Sequence, residues 1–315
     1  MEGYALQNGQ TVPCLGYGTG VVNHYSRNPR LWAVNKGRLV LSSIKHLHLN
    51  RQLKIDLSAH KMVRQAYDCG FRLFDTGRIY GCSEKAIGKG LAGIPRETYC
   101  LTTKFSDLCF AMAPLNGYSA DDVIGHLKKS LYFLKTEYVD FLLIHHPHGP
   151  VAEIWAQMEA AYAQGLCRAI GTSNFDVQDF QRLEKTQRVA PMVNQGERHP
   201  FFQNAAVFDY CKEHGILFMA HTATGHSKSA QNHELKSIAA KYGKTVQQIV
   251  LRWHYQNRVV PIISTTSEQH IRESVSIFDF HLTADEMAQI NRLEDGVRLL
   301  DCQNGVDNPN YRYNI

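Results

Sequence analysis

Eight short apolar segments recur along this chain, most followed by a longer stretch of helical periodicity, and this alternation leaves few folds open. The strand-like segments are 14–19, 71–75, 98–103, 139–145, 167–172, 191–195, 216–221 and 259–263. Amphipathic stretches fill the intervals at 61–69, 83–92, 121–134, 152–164, 176–186, 203–214 and 234–241. Their apolar residues recur at helical spacing; Met62, Ala66 and Cys69, for example, are expected on one face. Strands that alternate with helices, with no linker between halves, imply parallel pairing through right-handed crossovers. At 315 residues the chain can form one large barrel or two ordinary domains. No G-x-G-x-x-G follows an early strand, which counts against an open, doubly wound sheet. The expected fold is α/β, a closed (β/α)8 TIM barrel spanning 1–315 as a single domain. Residues 8–20 read as an N-terminal β-hairpin cap leading into the first strand. Residues 21–60 read as an enlarged first β–α loop, and 296–315 as an irregular surface tail containing Tyr311 and Tyr313.

Two later helices mark their own starts. Thr245 is a candidate N-cap for 245–256, whose Val246, Ile249, Val250 and Trp253 share a face. Thr283 and Glu286 have the spacing of a capping box. With 44% hydrophobic and 20% charged residues, the composition is that of a soluble globular protein. The net charge of +5 is dispersed except in 26–64, where basic residues and three histidines face a single acid, Asp56. That segment reads either as an attractor for an anionic substrate or as a solvated basic loop. No aromatic–basic ribbon points to nucleic acid, and no apolar stretch has membrane length. The eight cysteines form no C-x-x-C, and most fall in apolar or helical runs as buried free thiols do. With no secretory signal recognisable, a reduced, cytoplasmic setting is expected. The run His145-His146-Pro147-His148 is not expected to bind metal, because neighbouring strand residues face opposite ways and no second ligand cluster follows.

Three of the strand-like runs end in ionisable groups. F-R-L-F-D-T-G-R-I-Y carries Asp75 and Tyr80, T-T-K-F carries Lys104, and V-D-F-L-L-I-H-H-P carries His145. Strand ends are where a (β/α)8 barrel places its chemistry. A carboxylate, a phenol, an ammonium and an imidazole that converge there can deliver a proton to a carbonyl oxygen. Read singly, Asp75 and Lys104 are equally a structural ion pair and Tyr80 a rim aromatic.

These segments resemble those of the aldo-keto reductases, in the same order and from about residue 8 to residue 295. G-F-R-L-F-D-T…Y resembles the family's G-[FY]-R-x-[IF]-D-T-A-x-x-Y, and T-T-K matches its lysine strand. L-L-I-H-H-P resembles L-I-H-W-P, A-I-G-T-S-N-F resembles I-G-V-S-N-F, and V-N-Q-G-E-R-H-P is similar to V-N-Q-x-E-x-H-P. V-V-P-I-I-S…I-F-D-F-H-L-T resembles V-P-I-P-K-S…F-D-F-x-L-T. The resemblance implies a barrel that binds a nicotinamide cofactor without a Rossmann domain. It makes Tyr80 the general acid, Lys104 the cation that lowers a phenol pKa of roughly 10, Asp75 its holder, and His145 a hydrogen-bond donor to the substrate oxygen. A histidine at 145, where the branch that reduces steroid double bonds has glutamate, favours carbonyl chemistry. Ser173, Asn174 and Gln195 correspond to the grip on the nicotinamide carboxamide, and Thr19 is expected to bind the cofactor as well; Ser173 or Asn174 could equally cap the following helix.

The departures concern cofactor and substrate. His221 stands where the family stacks an aromatic on the nicotinamide. Ser264 and His270 replace the lysine and arginine that hold the 2′-phosphate, leaving Thr265, Thr266 and the helix start after Ser267 as neutral donors. Arg272 is a candidate substitute, Glu273 matches the adenine-binding acid, and Ser274 replaces an asparagine. The short loop 225–233 implies no lid over the cofactor. Gly20 and His146 replace tryptophans that wall the substrate pocket, while Trp32 and Tyr25 in the enlarged loop could reach it or lie on a tolerated surface insertion. The expected activity is reduction of a small aldehyde or ketone, or the reverse, by a monomer using NADPH, with NADH as rival. Two alternatives keep the barrel: a cyclase, dehydratase or isomerase using Tyr80 and His145, or a non-catalytic regulatory barrel similar to potassium-channel β-subunits. Turnover without nicotinamide marks the first; activity that survives Tyr80→Phe marks the second.

Overall fold

The computed structural model describes residues 3–20, 59–105 and 122–300. Most of the enlarged first loop with Trp32 and Tyr25, and the tail from 301, lie outside the described residues. Strands β1 (Gly3–Ala5) and β2 (Thr11–Pro13) form an antiparallel hairpin. Eight further strands are β3 (Gly16–Gly18), β4 (Leu73–Asp75), β5 (Cys100–Phe105), β6 (Val139–Ile144), β7 (Cys167–Ser173), β8 (Val193–Glu197), β9 (Leu217–His221) and β10 (Val260–Ile263). They pair in parallel in chain order and close into a barrel, because β10 pairs with β3 as well as with β9. The helices are α1 (Ala59–Asp68), α2 (Ser83–Gly90), α3 (Val123–Leu134), α4 (Val151–Ala163), α5 (Val177–Leu183), α6 (Ala205–Glu213), α7 (His226–Gln231), α8 (His233–Tyr242), α9 (Val246–Gln256), α10 (Glu268–Val275) and α11 (Ala284–Asn291).

Strand parity divides the core. Leu73, Phe141, Leu143, Ala169, Val193, Met219, Val260 and Ile262 cluster with Tyr4, Leu6 and Val12 of the hairpin, so these strand residues point inward and β1–β2 closes one end. Their neighbours Phe74, Leu101, Leu142 and Ile170 belong to the cluster shared with the helices. Side chains alternate with period two, so Asp75, His145, Ser173, Gln195 and His221 follow the inward positions Leu73, Leu143, Ala169, Val193 and Met219. Lys104 shares the parity of Thr102 and Cys100, opposite to outward Leu101. The hydrophobic pattern thus decides which strand-end groups meet.

The caps at Thr245 and Thr283 are both present as capping boxes, with Gln248 and Glu286 as reciprocal partners. Ile249, Val250 and Trp253 of α9 are buried. In α1 the fully buried residues are Ala59, Val63 and Ala66, with Val63 packed on α2 near Gly90; of the expected face Ala66 is buried, Cys69 packs half-buried against the same core, and Met62 is only half-buried. The stretch after β9 forms the short helix α7.

Candidate active site

Lys104 lies at the end of β5, buried, with its Nζ donating to Asp75 Oδ1 at 2.7 Å, Asp75 Oδ2 at 2.6 Å and the Thr76 carbonyl at 2.9 Å. All three ammonium protons therefore have acceptors. Burial pulls its pKa down, while the charge and hydrogen bonds of Asp75 push it up. Gln195 Nε2 donates to Asp75 Oδ1 at 2.8 Å, so the carboxylate is fixed from β8 as well. Tyr80 sits on the loop between β4 and α2, its ring centroid 5.2 Å from Lys104 Nζ. The phenol oxygen is 3.1 Å from His145 Nε2. Asp75, Tyr80, Lys104 and His145 are thus one contiguous group.

His145 is held by its own backbone, which donates to the Phe105 carbonyl and accepts from Asn174 Nδ2 at 2.9 Å. Its ring stacks on His146 at 4.5 Å, and His146 stacks on His148 at 5.8 Å. Burial, then the positive potential of His146, Lys104 and His221, keeps its pKa well below the usual 6.5, so the imidazole is neutral. Among the described residues Nδ1 has no hydrogen-bond partner. Nothing there opposes the tautomer that carries its proton on Nε2, facing Tyr80.

The amide side of the site is equally ordered. Asn174 Nδ2 reaches Ser173 Oγ at 3.2 Å and lies 3.4 Å from His146 Nδ1, while Asn174 Oδ1 accepts from His221 Nε2 at 2.9 Å. His221 Nδ1 accepts from the Thr222 hydroxyl at 3.1 Å, and burial lowers the His221 pKa to about 4. Asn174 and Thr222 have φ of 60° and 55°, left-handed conformations that non-glycine residues rarely adopt outside constrained sites. Neither Ser173 nor Asn174 caps α5; Asp176 does, in a capping box with Asp179. The hydroxyl and two amides therefore stay beside the tetrad, and they present the mix of donors and acceptors that a carboxamide needs.

Ser264, Thr265, Thr266 and His270 gather at the end of β10 and the start of α10, where Ser267 is the N-cap. Thr265 Oγ1 lies 3.5 Å from His270 Nδ1, and Ser264 Oγ donates to the Gly18 carbonyl at 3.0 Å. This set can hold a phosphate through neutral donors and the helix start. Arg272 is engaged by Glu268 at 2.8 Å on the exposed side of α10, so its guanidinium is already paired. Glu273 accepts from Gln269, and Ser274 donates to the His270 carbonyl. Gly20 is exposed, and a Cβ built there would lie 3.7 Å from the Tyr80 ring. Thr19 is fully buried; its hydroxyl donates to the Asp75 carbonyl and meets Ser83 Oγ. Its hydroxyl is thus engaged within the protein and not presented to the cofactor that the sequence predicts for it.

Sequence reasoning did not single out Thr76, Ser83, Glu84 or Arg78. Thr76 acts through its carbonyl, which no side-chain pattern reveals. Ser83 and Glu84 read as ordinary first-turn helix residues.

A family model described as the aldo/keto reductase family matches residues 50–295. The chain belongs to the aldo/keto reductase family. A 9,11-endoperoxide prostaglandin H2 reductase of Trypanosoma cruzi is 36% identical over 245 residues, covering 75% of this chain and 83% of that one. The glyoxal reductase of Bacillus subtilis is 35% identical over 244 residues, covering 76% and 85%. Among solved structures, a Bombyx mori aldo-keto reductase in complex with NADP superimposes with a TM-score of 0.78 at 28% identity, covering 99% of each chain. Membership makes this aldo/keto reductase an oxidoreductase of NAD(P)H-dependent carbonyl chemistry. Among the described residues no group of three or more His, Cys, Asp or Glu could hold a metal ion, and no helix is long and apolar enough to cross a membrane.

Proposed function

We propose that this chain reduces a small aldehyde or ketone with NADPH, Tyr80 supplying the proton. The observation that carries this reading is the Lys104 ammonium, fixed by Asp75 and Thr76 beneath a phenol that lies 3.1 Å from His145 Nε2. When bound, the cofactor supplies hydride to the carbonyl carbon. Tyr80 hands its proton to the carbonyl oxygen, and the nearby ammonium stabilises the phenolate left behind. Neutral His145 donates from Nε2 to the same oxygen, opposing the charge that develops there. An imidazolium at this position would compete as a proton source; burial removes that competition. Ser173, Asn174 and Gln195 would orient the carboxamide, His221 would lie against the ring, and Ser264, Thr265, Thr266 and His270 would hold the 2′-phosphate, with Glu273 near the adenine.

NADPH is favoured over NADH by the NADP complex of the Bombyx mori neighbour and by a second aldo-keto reductase described as complexed with NADPH. Gly20, whose Cβ position lies 3.7 Å from the Tyr80 ring, and His146 in place of bulky aromatics favour a more open, more polar pocket, and the glyoxal reductase relative acts on a small polar carbonyl by name. In this reading the chain works as a cytoplasmic monomer. The test is loss of NADPH absorbance with glyoxal and a series of short aldehydes. Wild type is expected to turn over, and Tyr80→Phe to lose a factor of about 10²–10⁴ in kcat with cofactor affinity retained. Full activity in Tyr80→Phe would overturn the assignment.

A further inference from the structure

The loop that carries Tyr80 is fastened at a place the tetrad does not explain. Ser83 and Glu84, in the first turn of α2, are 0% and 1% exposed. An acid placed only to complement the helix dipole can sit in water at no cost, whereas burying a carboxylate is expensive unless it is paired. Glu84 is paired, and across elements. Its Oε2 lies 3.3 Å from Arg78 Nη1, and its Oε1 accepts from the Thr103 hydroxyl at 2.9 Å. Arg78 is two residues before Tyr80, and Thr103 is next to Lys104.

Strand parity makes this placement consequential. Lys104 turns into the barrel toward Asp75, so Thr103 turns outward, into the layer between β5 and α2. The same two-residue segment is therefore gripped from inside by Asp75 and from outside by Glu84. The backbone adds a stitch, since Arg78 N donates to the Lys104 carbonyl at 3.2 Å. Ser83 closes the other side of the loop, its Oγ 2.6 Å from Thr76 Oγ1 and in contact with Thr19. Tyr80 is suspended between these fastenings on a tight turn, its N–H bonded to the Gly77 carbonyl and its carbonyl accepting from Ser83 N.

We propose that Glu84 is a positioning residue for proton delivery: its carboxylate locks the Tyr80 loop to the Lys104 strand and so sets the phenol against the ammonium. This rests on the reading of Tyr80 as proton donor. Glu84 touches neither substrate nor cofactor. Its removal takes the carboxylate away from Arg78 Nη1, leaving the guanidinium over the Phe133 ring at 5.1 Å, and lets the loop shift relative to β5.

The test compares Glu84→Gln with Thr103→Val, which removes one bond without leaving a charge unpaired and carries the experiment if Glu84→Gln does not fold. Both are expected to lower kcat for NADPH-dependent aldehyde reduction by about tenfold to a hundredfold, with the NADPH dissociation constant from fluorescence titration unchanged. The solvent deuterium isotope effect on kcat is expected to rise, because proton delivery becomes slower. In a Tyr80→Phe background Glu84→Gln should have no further effect, since the group it positions is gone. Two results overturn the proposal: kcat within twofold of wild type in both variants, or an equal loss with and without the Tyr80 hydroxyl. If wild type reduces no carbonyl, the geometric part is still read by ¹⁹F NMR of 3-fluorotyrosine-labelled protein. The resonance that disappears in Tyr80→Phe must move in Glu84→Gln; an unmoved resonance sinks the proposal while leaving the failed activity a separate matter.

Discussion

Ser264 stands at the end of β10 with its hydroxyl already donating to Gly18, and His270 one turn into α10 faces Thr265. A phosphate held there meets hydroxyls and backbone N–H groups instead of an ammonium and a guanidinium. Hydrogen bonds to charged donors are worth about 1.5–3 kcal/mol, neutral ones about half that. Ser264→Lys is therefore expected to tighten NADPH by about tenfold and leave NADH unchanged, measured by quenching of protein fluorescence. Equal effects on both cofactors would place the 2′-phosphate elsewhere. The same logic of donors and acceptors distinguishes His221 from an aromatic hydrocarbon ring. Its Nε2 proton is committed to Asn174 and its Nδ1 to Thr222, so the ring is held at a fixed angle beside the amide cluster.

At the scale of elements, α2 brings Ser83 and Glu84 to the barrel wall and anchors the end of the Tyr80 loop, and its seat on α3 is tight. A Cβ on Gly88 would come within 2.3 Å of the Phe133 carbonyl oxygen, which belongs to backbone and cannot swing away. Gly88→Ala is expected to destabilise the protein by about 1–3 kcal/mol and lower Tm by several degrees. Its kcat is expected to fall as well, because α2 can relieve the clash only by lifting off the wall. A normal melting temperature in differential scanning calorimetry would show that the helices can part without cost. The barrel strands themselves were legible in the sequence because their apolar runs are bounded and spaced; so was the tetrad, since ionisable residues at strand ends break an otherwise apolar pattern. Tyr4 in β1 was not, as a three-residue strand has no period to detect. In α1, Met62 and Val63 are adjacent and both apolar, and only the contact with α2 decides that Val63 is the one fully buried. Glu84 escaped notice for a physical reason too: first-turn serine and glutamate satisfy local helix rules whether or not they face the core.

Across the whole molecule, buried imidazoles set the response to acid. His145 and His254 titrate well below 6.5 and His221 near 4, burial being the largest cause at each. Burial pushes Glu197 up, but its hydrogen bonds from His199 and the Leu299 backbone, with the nearby His221, hold it below its usual range. The unfolded chain takes up protons on these histidines as pH falls through 6.5, while the folded one resists them to lower pH, His221 until about 4. Stability present above 6.5 is thus lost as pH falls, at up to about 1.4 kcal/mol per pH unit for each such imidazole. Thermal melts by circular dichroism at pH 7.5, 6 and 5 are expected to show a falling Tm before most carboxylates titrate; a flat Tm would mean these rings accept protons without disturbing the fold.

Barrel closure carries one more consequence, for the chain as it is made. Gly16 of β3 pairs with Ile262 of β10, so one of the first strands to leave the ribosome waits for the last. Until β10 arrives, β3 and β9 are open sheet edges, the kind of surface that recruits other chains. A product truncated by premature termination before Val260 never closes them. Such fragments are candidates for chaperone capture and aggregation even though Asp75, Tyr80, Lys104 and His145 have already been synthesised.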